Sequence, residues 1–163
     1  MDVQATLEAP CSATELFDLV DDLAIYPKWM DLVHRAVPIA GAAAWDTELR
    51  ARIGPLARSK RLRMVRTVHQ PPTKASAGHV RFERAEDDGK QHAAWILNAT
   101  VSDVEAVTGP ATLLQVCLHY GGSLWTGGLL ERSLQDHITA GKQRLISLVQ
   151  NGPTRSTGRP AAD

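Results

Sequence analysis

The change of hydrophobic period along the chain constrains its fold more than any other feature. From Asp31 to Tyr120, apolar residues recur at every second position, segment after segment, with turn residues between them. From Leu130 onward they recur at every third or fourth position instead. Period two marks a strand with one face buried, whereas recurrence near 3.6 marks one face of a helix. Strands that follow one another without crossover helices pair antiparallel. Parallel βαβ units are therefore excluded and the predicted class is α+β.

The strands are read as follows. Leu32 to Ile39 is one, closed by the Ala-Gly-Ala-Ala-Ala turn region. Trp45, Thr47, Leu49, Ala51 and Ile53 alternate with Asp46, Glu48, Arg50 and Arg52, and Gly54-Pro55 turns the chain. Arg58 to His69 places Lys60, Leu62, Met64, Arg66 and Val68 on one face and stops at Pro71-Pro72. Ala77 to Ala85 leads through a hairpin at Asp87-Asp88-Gly89-Lys90 into Ala93 to Val104, with Trp95, Leu97, Ala99 and Val101 on one face. After Gly109-Pro110, Thr112 to Tyr120 aligns Leu114, Val116, Leu118 and Tyr120.

At the N-terminus, Asp2 to Leu7 alternates as a further strand. Ser12 and Glu15 form a capping box ahead of Leu16, Phe17, Leu19 and Val20, predicting a helix that Asp21-Asp22 keeps short. A second helical turn, Leu23 to Tyr26, must end near Pro27. Gly121-Gly122 and Gly127-Gly128 read as a flexible turn into the last helix. There, Leu130, Leu134, Ile138, Gly141, Leu145 and Leu148 form a narrow stripe predicting a helix over Leu129 to Val149, stopped by Asn151-Gly152-Pro153. Residues 1–150 are expected to form one domain and residues 151–163 a disordered tail. One long helix then covers the apolar face of a seven-stranded antiparallel sheet, and a cavity between the two is expected.

Composition narrows the function classes. A chain of 163 residues buries roughly 68–70% of its unfolded surface, enough for a core without disulfides or structural metal. With 18 basic and 18 acidic residues there is no basic excess of the kind a general nucleic-acid binder carries. Cys11 and Cys117 match no metal spacing and suit buried, reduced thiols. The N-terminus lacks a basic region followed by an apolar one, and no stretch reaches the ~20 apolar residues of a membrane span. The expected protein is cytoplasmic, without stable membrane insertion, and a monomer or weak homodimer. The motifs HExxH, GxSxG, GxGxxG and GxxxxGK[ST] are absent, so neither a metal nor a nucleotide cofactor is expected.

The order of elements, with Ala9-Pro10, Ser12 to Val20 and the segment Asp22-Leu23-Ala24-Ile25-Tyr26-Pro27-Lys28-Trp29, resembles the helix-grip fold of the START/Bet v 1-like (SRPBCC) superfamily. The Gly-Gly-Ser-Leu turn before the last helix is similar too, and the nearest branch is the bacterial polyketide cyclase/dehydrase and lipid-transport group. The resemblance spans Val3 to Gln150 and implies a ligand cavity between sheet and C-terminal helix.

Strand parity nominates the residues facing that cavity: Leu62, Met64, Phe82, Trp95, Leu97, Leu118 and Tyr120 from the sheet, with Leu134, His137 and Ile138 from the helix. Each of these either lines a pocket or fills a core. Arg66 shares a face with Leu62 and Met64, so it either grips a carboxylate or enolate oxygen or lies outside, through a bulge or at the wet end of the sheet. The resemblance bears on it, because polyketide aromatase/cyclases are similar in placing an arginine in the pocket. His137 either reaches the cavity mouth or packs at the helix boundary. The basic run Arg58, Lys60, Arg61, Arg63 and Arg66 reads first as the solvated face of a strand.

The expected function is binding of a hydrophobic or amphipathic small molecule, such as a lipid, isoprenoid or polyketide-like compound. The alternatives are a polyketide aromatase/cyclase and a regulatory or toxin-like interaction protein. Polar pocket groups are few and no base-plus-orienter pair is visible, which favours binding over catalysis.

Overall fold

A computed structural model describes the backbone of residues 2–53, 56–122 and 128–151, and their side chains except at 51–53, 56–58 and 128–135. Gly54-Pro55, the Gly-Gly-Ser-Leu turn beyond Gly122, Gly127, Gly152-Pro153 and the expected tail lie outside the described residues. The elements are β1 (Asp2–Ala9), α1 (Ala13–Val20), a 3-10 helix (Leu23–Lys28), β2 (Val33–Pro38), β3 (Ala44–Ile53), β4 (Leu56–Gln70), β5 (Gly78–Arg84), β6 (Trp95–Val104), β7 (Ala111–Tyr120) and α2 (Gly128–Gln150). The strands form one sheet in the order β1-β7-β6-β5-β4-β3-β2, every neighbouring pair antiparallel. β1 thus pairs with the last strand, and β2 forms the opposite edge.

The sheet is curled. β4 and β7 are separated by β5 and β6, which on a flat sheet would set them about 14 Å apart at the usual strand spacing. Yet the Lys60 ammonium on β4 stands 5.7 Å from the ring centre of Tyr120 on β7. Two side chains meeting across that span require a concave surface.

One end of the concavity is plugged by α1 and the 3-10 helix. The Ser12 hydroxyl accepts from the Glu15 N–H at 3.3 Å, and the Glu15 carboxylate accepts from the Ser12 N–H at 2.9 Å, which starts α1 where the sequence predicts. Asp22 accepts from the Ala24 N–H and from the Trp45 indole, both at 2.9 Å, fixing the start of the 3-10 helix to β3. Leu16, Phe17, Val20, Leu23 and Tyr26 are buried with Val80, Phe82 and Val101. The Tyr26 hydroxyl donates to the Val20 carbonyl at 2.9 Å, so that the one polar atom of the ring is satisfied in the core.

One expectation about β4 needs correction. A bulge between Arg66 and Val68 shifts the register, so Arg66 lies opposite Phe82 while Val68 lies opposite Arg81. Arg66 therefore keeps the concave face predicted for it, but Val68 is turned to the outer face with Arg81. Ahead of the bulge, Lys60, Leu62 and Met64 do share the concave face, since Lys60 pairs with Leu49 and Met64 with Trp45.

Candidate ligand cavity

Between the sheet and α2 lies an apolar cavity of about 90 Å³. Its walls come from β1, β3, β4, β6 and β7, from the Trp29–Val33 segment and from α2 at His137, Ile138, Gly141 and Leu145. The alternation of each strand places its apolar set here. α2 is drawn down onto the cavity by Gly141, which abuts the Trp29 backbone, and by Leu145, which is buried.

Of the residues nominated from sequence, Leu62, Met64, Trp95, Leu97, Leu118, His137 and Ile138 meet at this cavity. Phe82 does not. It is fully buried beneath the 3-10 helix, edge-on to Trp45 at 5.4 Å and to Tyr26 at 6.2 Å. Tyr120 is buried beyond Trp95, the two ring centres 4.8 Å apart, at the end of the concave face away from α1. The Leu134 side chain lies outside the described residues.

Arg66 is on the concave face but outside the cavity wall. Its guanidinium donates to the Asp21 carbonyl at 2.9 Å, lies 3.6 Å from the Asp21 carboxylate and stacks over Trp45 at 5.6 Å. The carbonyl it holds follows the last turn of α1, where helix carbonyls lack partners. The guanidinium is thus engaged at the end of α1 rather than directed into the cavity. His69 shares the same carboxylate at 3.0 Å.

His137 borders the cavity with Nδ1 3.8 Å from the Asp31 carboxylate, which also pairs with Arg144. The hydrogen bond from Arg144 holds the Asp31 carboxyl below the usual carboxylate range.

Sequence reasoning missed several wall residues. Val3, Ala5 and Leu7 of β1 join the cavity because β1 pairs with β7, a closure that no local pattern announces. Trp29 and Met30 were visible only as the end of a helical segment. The indole N–H groups of Trp29 and Trp95 are buried and have no hydrogen-bond partner among the described residues, and both rings border the cavity.

Beyond Leu49 and Leu62 the concave face turns polar. Arg84, opposite Met64 and with its side chain only 8% exposed, donates to Glu86 at 2.6 Å. Glu86 also accepts from the Arg63 N–H at 3.3 Å. Lys60 lies nearby, and burial, with the Arg84 charge adding, lowers its ammonium pKa from the usual lysine value. The signal for Arg84 was its parity with Val80 and Phe82; Lys60 was read as part of a solvated run.

No family model and no curated protein matches the sequence. Solved structures do match. A START superfamily protein from Mycobacterium smegmatis has a TM-score of 0.64 at 16% identity, covering 91% of this chain and 97% of its own. A conserved protein from Geobacillus kaustophilus has a TM-score of 0.63 at 11% identity, covering 92% and 95% respectively. The Zhui aromatase/cyclase from a Streptomyces species has a TM-score of 0.59 at 11% identity, covering 92% and 93%. Likeness at these identities establishes the shared fold and nothing finer.

Proposed function

We propose, on the premise of the START/Bet v 1-like helix-grip fold that this chain has, that the protein binds a hydrophobic or amphipathic small molecule between its sheet and α2. The observation that carries this reading is an apolar cavity shared by the sheet and the C-terminal helix. Burial of ligand area at about 25 cal/mol per Å² supplies the affinity. Ligand candidates are a lipid, an isoprenoid or a polyketide-like compound, taken up in the cytoplasm by a monomer or weak homodimer.

The cavity of about 90 Å³ is smaller than the roughly 300–1,000 Å³ of pockets for drug-sized ligands. A ligand of that size therefore requires the cavity to widen, and on this reading α2 moves away from the sheet to admit it. Native mass spectrometry of freshly purified protein tests the reading. A co-purified lipid-like mass, or saturable quenching of the cavity tryptophans by an apolar ligand, is the expected result. Failure of an acyl and an isoprenoid series to bind would overturn it.

The likeness to an aromatase/cyclase favours catalysis on a poly-β-ketone as a second reading. Turnover of such a substrate, beyond stoichiometric binding, separates the two.

A further inference from the structure

We propose that Lys60, with the indole N–H of Trp95, forms a carboxylate subsite at the polar end of the concave face, so that the ligand is an amphipathic acid with its hydrocarbon in the cavity. The proposal rests on the ligand-binding reading above and names the chemistry of the ligand's head.

Among the described residues the charges at this end do not balance. Lys60 and Arg84 bring two cations and Glu86 one carboxylate, and that carboxylate is held by Arg84 at 2.6 Å and by the Arg63 N–H. Among the described residues no carboxylate lies within ion-pairing distance of Lys60. Its ammonium is instead folded over the Tyr120 ring, partly withdrawn from water. A partly buried ammonium of this kind, stacked on an aromatic ring, is a ready partner for an anion.

A second unmet requirement lies against the same Tyr120 ring. Trp95 is 6% exposed, its N–H has no acceptor among the described residues, and its ring packs 4.8 Å from the same Tyr120 ring. Buried donors are nearly always paired, and one without an acceptor among the described residues, next to a cavity, suits an acceptor on a ligand. A carboxylate meets both needs at once, with its charge toward Lys60 and an oxygen toward Trp95. A single uncompensated ammonium suits one negative charge better than a phosphate. Trp95 itself borders the cavity, and through the Tyr120 ring it links the apolar wall to this polar end.

The test is a titration of the full chain with decanoic acid and with decan-1-ol, followed by tryptophan fluorescence and by calorimetry. Wild type is expected to bind the acid at least tenfold more tightly than the alcohol at pH 7. That preference should fade as the ligand carboxyl protonates, below about pH 4–5. Lys60→Met should abolish the preference while leaving alcohol affinity within about twofold, and Lys60→Arg should keep most of it. Equal affinity of wild type for acid and alcohol would overturn the subsite and leave the cavity reading standing. So would an equal loss of both ligands in Lys60→Met. Binding of neither ligand to wild type would remove the subsite, and failure of the wider acyl and isoprenoid series would remove the cavity reading too.

Discussion

Gly141 in α2 sits so close to the backbone of Trp29 that a Cβ at this position would lie 2.9 Å from the Trp29 carbonyl oxygen. That approach seats the helix on the segment entering β2 and closes the cavity. Ala in a helix is intrinsically better than Gly by about 1 kcal/mol. Here the methyl meets backbone that cannot rotate away, and overpacking of this kind costs about 1–3 kcal/mol. Gly141→Ala should therefore be neutral to destabilising by about 2 kcal/mol in urea unfolding. A gain in stability would mean that the helix rides higher than described.

Asp31 latches the same helix through Arg144, with His137 at 3.8 Å. A carboxyl with a lowered folded pKa contributes stability above its unfolded value, about 3.9, and loses it as pH falls through the lower folded value. Exposed pairs are worth about 0.2–1 kcal/mol. Asp31→Asn should lower Tm slightly at pH 7, and its deficit against wild type should shrink below about pH 4. A deficit constant from pH 7 to pH 3 would show that the ion pair contributes nothing.

Arg66→Ala removes the donor to the Asp21 carbonyl and the cation stacked on Trp45. A hydrogen bond from a charged group is worth about 1.5–3 kcal/mol, reduced here because the side chain is 23% exposed. A loss of about 1 kcal/mol in chemical unfolding is expected, with ligand affinity unchanged. Selective loss of anionic ligand in this variant would return Arg66 to the binding site.

Val116 faces the cavity from β7 and is only partly buried. Val116→Leu adds a methylene into open space, and cavity filling typically gains about 0.5–2 kcal/mol. The apo protein should hold its stability or gain slightly, while an apolar ligand binds several-fold more weakly. Unaltered ligand affinity would place the ligand elsewhere.

Burial pushes the Cys11 thiol up to about 11, with the Glu15 charge adding to it. The thiolate is the reactive form. Cys11 should resist iodoacetamide at pH 8 in the folded protein and react on unfolding, as mass spectrometry of tryptic peptides would report. Rapid native labelling would mean that the β1–α1 turn opens readily.

Local pattern carried the architecture. Period two from Asp31 to Tyr120, the capping box at Ser12 and the stripe through Ile138, Gly141 and Leu145 each act within a few residues, so the sequence alone determined seven strands, two short helices and a long final one. Parity was legible for the same reason: Leu62, Met64, Trp95, Leu97 and Leu118 face one cavity because side chains alternate along every strand. Tertiary structure decided what depends on distant pairing. The bulge at Arg66 and Val68 is a property of β4 against β5, and it turned Val68 outward. The closure of β1 onto β7 brought Val3, Ala5 and Leu7 into the wall. Arg66 became a cap because the end of α1 lies above it, and Lys60 became a half-buried cation because the sheet curls Tyr120 beneath it. Period and capping are written into neighbours along the chain, whereas a charge acquires its partner, or lacks one, only when strands far apart in sequence are brought face to face.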